Sequence, residues 1–185
     1  MYSTVALSIC ILSYISHAQS LELFYLAKLH KKIALEIDKG AYDFVFVHPS
    51  QFTQAPFLLR FVKTPKIYFC QEPLRIVYDS FLRRIPSVSL PKKLYEQGIR
   101  KLRKAIDREN ISHVDMILAN SKFSKKWIKK AYGKSSKVCY LGVDVNLFKP
   151  QMIEKTYDIL FLGQKLPIEG HDLLEQALLL FKKKP

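Results

Sequence analysis

Polar side chains with binding chemistry stand directly after two apolar runs of the sequence. Gln71 and Glu72 follow one run, and Asn120 and Ser121 follow another. An amide and a carboxylate can bind the hydroxyl groups of a ligand, and the start of a helix can bind an anion. In sheets of parallel strands, ligands collect at the carboxyl ends of the strands. These four residues are therefore the first candidates for a substrate site.

Each candidate also has a simpler structural explanation, which the sequence alone leaves open. Glu72 and Arg75 are three residues apart, so they could form a local ion pair that orders the following loop, or they could contact a substrate. The Ser121 hydroxyl could cap a helix by accepting from the backbone N–H of Phe123 or Ser124. Capping alone would explain the serine without any ligand.

The elements that would position these residues alternate along the chain. Apolar runs predict buried strands at residues 43–48, 66–70, 114–119 and 137–141, and helical spacing with caps predicts helices at 20–40, 52–62, 91–109 and 121–132. Ser20 is the predicted start of the first helix and Gly40 its end. His48 ends the first strand and is a further candidate on position alone. This alternation indicates βαβ units, so the predicted fold class is α/β: a Rossmann-like parallel sheet with helices on both faces.

Composition excludes several classes of protein. The 185 residues are 49% apolar and 25% charged, which is typical of a globular protein and not of a disordered one. Cys10, Cys70 and Cys139 are far apart and odd in number, so they indicate neither a disulfide framework nor a Cys-x-x-Cys site. They predict reduced thiols in a cytoplasmic protein, and no pattern predicts a metal site.

The first 19 residues are apolar and uncharged, which is compatible with two targeting functions. A signal peptide would cleave near Ser16-His17-Ala18, but its positively charged start is missing. A membrane span needs about 20 apolar residues, and serines and a histidine interrupt a run that is already short. The segment is predicted to form a buried helix of the fold.

The positive charge is concentrated in the middle of the chain. Residues 60–149 hold 21 Lys and Arg against 7 Asp and Glu, so they carry the whole formal excess of +14. Such a field attracts phosphorylated ligands, an anionic membrane surface or nucleic acid. No nucleic-acid reader motif accompanies the charge, which argues against nucleic acid as a partner.

Two predicted helices, at 91–109 and 121–132, carry most of these lysines and arginines. Their predicted inward-facing side chains are Leu94, Ile99, Leu102 and Ile106 in the first helix and Phe123, Trp127, Ile128 and Ala131 in the second. A solvated face over a core stripe explains the apolar residues. It does not explain why acidic residues are absent between Asp115 and Asp144.

Three stretches, in order along residues 40–180, resemble one enzyme family. They are "YFCQEPLR", "ILANSKFSKKWIKKAYGKSSKVCYLGVDVNLFKP" and "ILFLGQKLPIEGHDLLEQA". They are similar to the first domain, the interdomain junction and the start of the donor domain of group 1 (family 4) retaining glycosyltransferases. Those enzymes have two facing Rossmann-like domains and transfer a sugar from a nucleotide-sugar to an acceptor hydroxyl without a required metal or other cofactor.

The resemblance implies a division of the chain. Residues 1–149 would form the acceptor-side domain, with its first strand and glycine loop missing, and residues 150–185 the crossing and the first, incomplete βα unit of the donor domain. Gly142 and Asp144 would form the turn before the crossing, where glycine permits an unusual backbone angle and aspartate can accept from nearby backbone N–H groups.

The donor loop implied by the resemblance contains Gly163, Gln164, Glu169 and Gly170. Family members usually carry Arg and Lys where this chain has Gln164 and Glu169, and those cations hold the diphosphate. Glu169 would repel a diphosphate, and the neighbouring Lys165 is expected to point elsewhere. In the acceptor segment, Gln71 stands where the family commonly has histidine. The family's catalytic glutamates would lie beyond residue 185.

These observations predict a glycosyltransferase fragment that is inactive alone, with a nucleotide-sugar donor and a glycan or lipid-linked acceptor as partners. Its predicted location is cytoplasmic, peripheral at the inner face of a membrane where the basic helices bind anionic lipid. The alternative is a non-catalytic basic module that binds an anionic membrane surface or another polyanion. A degenerate gene product without function is a third hypothesis.

Overall fold

The structure is a computed structural model, which describes residues 3–50, 53–79, 89–150, 152, 154, 156, 159–163 and 169–181, with side chains from residue 21 onward. Its contacts divide the chain into two units, residues 1–142 and 143–185. The first unit contains α1 (Ser3–Lys39), β1 (Val45–Val47), α2 (Leu58–Phe61), β2 (Lys66–Cys70), α3 (Arg75–Tyr78), α4 (Leu90–Ser112), β3 (Met116–Ala119), α5 (Lys122–Tyr132) and β4 (Lys137–Val138). The second unit contains α6 (His171–Phe181).

The four strands form one parallel sheet in the order β1-β2-β3-β4. Val47 lies opposite Tyr68, Cys70 opposite Ala119, and Ala119 opposite Val138. A parallel connection needs a crossover, and the chain supplies a helix in each one. The predicted α/β class is therefore confirmed, including the parallel neighbours at 114–119 and 137–141.

The core lies on one face of this sheet. Alternate strand residues share a face, and the buried set on this face is Val47, Tyr68, Cys70, Ile117 and Ala119. Leu59 of α2, Ile111 of α4 and Ile128 of α5 complete the same cluster. The helices of the crossovers thus pack on the strands from this side.

The opposite face is also apolar and is only partly covered. It carries Phe46, Ile67, Phe69, Met116 and Leu118, which stand in register across β1, β2 and β3. Phe46 is 46% exposed, whereas Phe69 is buried beneath the rings of Phe46 and His48. Helices on both faces therefore stay a prediction, since the buried cluster shows helices on one face.

The first helix is longer than predicted. It runs without interruption from Ser3 to Lys39, so Ser20 is not an N-cap and that prediction is wrong. Residues 3–39 contain neither glycine nor proline, and nothing in them stops a helix. The predicted end at Gly40 is confirmed, where the Gly40 N–H donates to the Ile37 carbonyl at 2.9 Å.

Asp38 fastens the end of α1 to the turn before β2. Its carboxylate accepts from the backbone N–H groups of Lys63 and Thr64 and from the Thr64 hydroxyl, at 2.9 to 3.1 Å. The Thr64 backbone bond is the largest cause that lowers the pKa of Asp38 below its usual value. This contact stabilises the folded state at neutral pH and is lost as acid protonates the carboxylate.

Further sequence predictions differ from the structure in extent. In α4 the predicted inward residues Leu94 and Leu102 are exposed, and the buried residues are Asp107, Asn110 and Ile111. The predicted strand around residues 157–163 is not formed by its described residues 159–163, and residues 157 and 158 lie outside the described part of the chain. The helix predicted after this segment is α6, and all its described side chains are at least partly exposed.

Among the residues that the structure describes, no helix is long and apolar enough to cross a membrane. Cys70 is buried and Cys139 is exposed, and neither is in a disulfide. Burial raises the pKa of the Cys70 thiol to about 12, so this sulfur is protonated and unreactive at neutral pH.

Candidate functional site

The loops after β2 and β3 lie side by side because those strands are neighbours in register. Cys70 pairs with Ala119, so Gln71 and Asn120 leave the sheet at the same edge. This placement arises because the apolar runs of β2 and β3 end at the same edge of the sheet, and each is followed by polar residues. The structure thus brings the two predicted groups of candidates to one end of the sheet.

Glu72 and Arg75 form the local ion pair that the sequence left open. Glu72 Oε2 lies 3.9 Å from Arg75 Nε, and Arg75 Nη2 lies 3.8 Å from Asp79 Oδ2. These side chains are largely exposed, so each pair contributes at most about 1 kcal/mol. These ion pairs matter for the shape of the site, because they place two carboxylates around one guanidinium.

A pocket of about 280 Å³ opens beside this ion pair, and we call it the β2–β3 pocket. It is lined by Glu72, Pro73, Arg75, Tyr78, Asp79, Phe123, Ser124 and Trp127. The prediction that Phe123 faces inward is wrong, since its side chain is 70% exposed and tilted against the Trp127 ring, with 6.2 Å between centroids. Aromatic rings and charged groups therefore meet in one concave site.

A side chain from the loop after β1 holds the Glu72 backbone in place. Gln54 Nε2 donates to the Glu72 carbonyl at 3.0 Å, and the Gln54 carbonyl accepts from the Tyr68 hydroxyl at 2.9 Å. Gln54 has a φ of 56°, an uncommon conformation for a residue with a side chain. This strained residue connects the loop after β1 to the loop after β2.

Ser121 caps α5, as the simpler of its two explanations predicts. Its Oγ accepts from the Ser124 N–H at 3.0 Å and donates to Ser124 Oγ at 3.1 Å. Asn120 is half-buried, and its Oδ1 is buried without a hydrogen-bond partner among the described residues. Ser121 therefore fixes the helix that carries Phe123 and Trp127, while Asn120 retains an unused acceptor beside the site.

Replacement of the cap should loosen the pocket wall. We expect Ser121→Ala to lower the free energy of unfolding by about 1 kcal/mol, because the Ser124 N–H loses its acceptor. Urea unfolding followed by circular dichroism measures this change. Ser121→Asp restores an acceptor at the cap, so it should recover most of the loss; equal losses in both variants would contradict capping.

A buried carboxylic acid interacts with one of the residues that line the pocket. Asp107 of α4 is 0% exposed, its Oδ1 accepts from the Ala55 N–H at 3.3 Å, and the hydroxyls of Tyr78 and Tyr132 interact with its carboxyl group. Burial raises the pKa of Asp107 to about 6, and it outweighs the hydrogen bond to Tyr132, which lowers it. Burial also raises the pKa values of both tyrosines. Since Tyr78 lines the pocket, this network links the buried Asp107 to the pocket wall.

Asn110 binds the other backbone polar group of the same residue, Ala55. Its Nδ2 donates to the Ala55 carbonyl at 2.6 Å, and its Oδ1 accepts from Arg60 Nε. Arg60 also donates to the Ile106 carbonyl at 3.1 Å. The loop after β1 is thus fastened to α4 through polar groups in the core.

His48 lies away from the pocket. Its ring contacts those of Phe46 and Phe69 edge-on, at 5.1 and 5.9 Å between centroids. It stands on the partly covered face of the sheet and does not line the β2–β3 pocket. Gln71 is exposed next to the pocket and also does not line it.

The predicted turn is formed in part. Asp144 Oδ1 accepts from the N–H groups of Asn146 and Leu147 at 2.9 and 3.3 Å, which confirms its predicted role. The unusual backbone angle expected at Gly142 is wrong, because the glycines with positive φ are Gly133 and Gly170. The strand before Gly142 has already ended at Val138, so no tight reversal is needed there.

The donor-loop residues belong to the second unit and are only partly described. Gly170 adopts a φ of 77° at the start of α6, and Glu169 before it is exposed. At Gly163 a Cβ atom would lie 2.9 Å from the Phe161 ring, which explains the glycine by local packing. Gln164 and Lys165 lie outside the described residues.

Sequence reasoning missed Trp127 and Asp79 as pocket residues and Asp107 as a buried acid. The helical spacing of Trp127 predicts an inward-facing side chain, and nothing in the sequence singles out Asp79 or Asp107. Within the described residues, no group of three or more His, Cys, Asp or Glu side chains could hold a metal ion.

Comparison of the chain with protein-family models, with curated proteins and with solved structures finds no match.

Proposed function

We propose that the chain forms the acceptor-side lobe of a nucleotide-sugar-dependent retaining glycosyltransferase, with the β2–β3 pocket as its acceptor site. The observation that carries the proposal is the meeting of Glu72, Arg75 and Trp127 in one concave site at the carboxyl edge of a parallel sheet. This edge is where ligands bind in open α/β sheets. The resemblance to group 1 glycosyltransferases includes this same segment.

The lining of the pocket suits a sugar. The C–H groups on one face of a pyranose ring pack against an aromatic ring, whose face carries partial negative charge. Carboxylates accept from sugar hydroxyls, and a guanidinium donates to them. Trp127 would supply the platform, Glu72 and Asp79 the acceptors, and Arg75 the donors. A pocket of about 280 Å³ fits one or two sugar rings better than a long chain.

The proposed reaction transfers a sugar from a nucleotide-sugar to an acceptor hydroxyl with retention at the anomeric carbon. In this lobe the residues bind and orient the acceptor, which contributes through proximity. The donor loop has Gln164 and Glu169 where family members carry the cations that hold the diphosphate, so the 185 residues alone are expected not to turn over. Release of nucleoside diphosphate from UDP- or GDP-sugars by this chain alone would contradict that expectation.

Trp127 is the chain's single tryptophan, which makes the pocket directly observable. We expect methyl glycosides to change its fluorescence saturably, with dissociation constants in the millimolar range. Glu72→Gln should weaken binding about tenfold, because a charge-assisted hydrogen bond to a sugar hydroxyl is lost. A titration of the unmodified chain and of this variant measures the effect.

Glu96→Gln is the matched control, since Glu96 also pairs with an arginine on a helix, Arg100, at 4.0 Å. It should leave the dissociation constant within twofold. Trp127→Phe removes the signal but keeps an aromatic ring, so ligand-observed NMR should still detect binding. No saturable response to any of a panel of glycosides, or equal weakening by Glu96→Gln, would contradict the acceptor site.

A second function is favoured by the surface of α5. Phe123 is 70% exposed next to Lys122 and Lys126, and Lys130 Nζ lies 4.8 Å from the centroid of the Trp127 ring. Exposed aromatic and basic side chains on one helix suit an anionic membrane surface. Salt-sensitive pelleting with phosphatidylserine vesicles, without any response to glycosides, would favour this binding module over the acceptor lobe.

A further inference from the structure

A second concave site lies at the end of the sheet opposite the β2–β3 pocket. It is a groove of about 710 Å³, which we call the lysine groove. Its lining includes Asp115, Lys129, Gly133, Lys134, Ser136 and Lys137. These residues stand at the amino ends of β3 and β4 and at the end of α5, so neither the resemblance nor the proposed function assigns them a role.

Three lysines surround the groove, and two of them are held in place. Lys129 Nζ donates to the Gly133 carbonyl at 3.0 Å, and Lys134 Nζ donates to the Ser112 carbonyl at 2.8 Å. Each ammonium group has three donors, so each keeps two for another partner. Lys137 is exposed at the start of β4 and adds a third positive charge.

The environment of the Ser136 hydroxyl points to a ligand. The side chain is 8% exposed, and its Oγ is buried with no hydrogen-bond partner among the described residues. A buried polar group without a partner destabilises a fold by about 1–3 kcal/mol. Within the described residues, the backbone N–H groups of 134–136 donate to no protein acceptor either. The loop that lines the groove therefore contains donors without a protein partner.

The backbone in this loop is shaped by Gly133. It ends α5 with a φ of 74° in the left-handed region, and the N–H of Gly133 donates to the Lys129 carbonyl at 2.9 Å. The chain then enters β4 through Lys134, Ser135 and Ser136. This order of helix, loop and strand is the reverse of the strand, loop and helix of a P-loop, so the site is not that motif.

Asp115 is the one acidic residue of the groove, and its charge opposes an anion. Its Oδ2 accepts from the Lys66 backbone N–H at 2.8 Å, which occupies this oxygen at the edge of the sheet. Against this single carboxylate stand the three lysines of the lining. The balance of charge in the groove is therefore positive.

We propose that the lysine groove binds a phosphate group, with Ser136 Oγ and the backbone N–H groups of 134–136 as hydrogen-bond donors and Lys129, Lys134 and Lys137 as counter-charges. A phosphate carries several acceptor oxygens and two negative charges near neutral pH, which matches this set of donors. The group could belong to a soluble phosphate ester or to a phospholipid headgroup, and both present the same oxygens. The proposal is independent of the acceptor site.

Amide NMR of the full chain tests the site directly. In a titration with inorganic phosphate against chloride at equal ionic strength, we expect the amide signals of residues 134–136 to shift saturably. Ser136→Ala should weaken binding about tenfold without loss of stability, because its hydroxyl has no protein partner to lose. Lys134→Ala combined with Lys137→Ala should weaken binding at least as much.

Lys92→Ala with Lys93→Ala is the matched control, since it removes two exposed lysines from the start of α4. It should leave the phosphate affinity within twofold. Glycerol phosphate and phosphatidic acid vesicles distinguish the two sources: saturable shifts with the ester indicate a soluble ligand, and Ser136-dependent pelleting without them indicates a headgroup. Amide shifts that do not saturate with phosphate would overturn the proposal. A loss of phosphate affinity in the control variant equal to that in the groove variants would also overturn it.

Discussion

Asp107→Asn is expected to stabilise the protein at pH 8 by roughly 2–3 kcal/mol, since one unit of pKa corresponds to about 1.4 kcal/mol. The pKa of Asp107 is raised from 3.8 to about 6, so the folded state favours the protonated carboxyl group. The stabilisation that comes from the protonated Asp107 carboxyl group is fully present below pH 4 and is lost as the pH rises through 6. Asparagine resembles the protonated acid, and its Oδ1 can still accept from the Ala55 N–H.

Urea unfolding of both proteins at pH 4.5, 6 and 8 measures this difference, which should grow with pH and level off above 6. Asp43→Asn is the control, because it removes the same charge from an exposed position. It should change stability by less than about 0.5 kcal/mol at each pH. A variant Asp107→Asn that is less stable than the unmodified protein at pH 8 would show that the ionised carboxylate is favoured in the fold.

The strands were predictable because buried parallel strands have a strong local signature. Residues 66–70 form β2 with the bounds that the sequence predicts. The other strands are shorter for reasons that involve distant residues. Asp115 was predicted as part of a strand, but its carboxylate accepts from the Lys66 N–H before β3 begins at Met116. β4 stops near Val138 because its neighbour β3 ends at Ala119, whose carbonyl accepts the last bond from Cys139.

The edge of the sheet that carries the candidate site was also predictable, but not the lining of its pocket. Position after a strand is a local property, and it identified Glu72 and Asn120. Trp127 was misjudged because helical spacing cannot say whether a stripe faces the core or a cleft. Its neighbour Phe123 shares that stripe and is exposed. Whether these side chains face the core or a cleft depends on how α5 packs beside the loop after β2.

The buried polar residues of α4 were invisible to pattern reasoning. The apolar spacing of this helix carries no signal that a polar residue is buried, so it does not single out Asp107 or Asn110. Both are instead 0% exposed and bind the backbone of Ala55, whose N–H and carbonyl pair with no strand among the described residues. A buried loop needs such partners, because its backbone groups cannot reach water. The core of this protein thus uses polar side chains to satisfy the backbone of a buried loop.

Asn110→Leu is therefore expected to destabilise the protein strongly, by about 2–5 kcal/mol. The Ala55 carbonyl would lose its donor, and Arg60 would lose an acceptor while its guanidinium remains partly buried. Arg60 keeps only the Ile106 carbonyl among these partners. The gain from a more apolar side chain is smaller than the cost of two buried groups left unpaired. Urea unfolding at pH 7 measures the change.

Gln97→Leu is the control, because Gln97 is exposed on the same helix and the change is of the same kind. It should alter stability by less than about 0.5 kcal/mol. A double-mutant cycle with Arg60→Met isolates the contact between Arg60 and Asn110: if the charge left unpaired is the main cost, Asn110→Leu should cost less once Arg60 has been replaced. Equal losses from Asn110→Leu in both backgrounds would show instead that the cost comes from the Ala55 carbonyl. A loss below about 1 kcal/mol in the unmodified background would contradict the role of Asn110 as the polar fastening of the loop after β1.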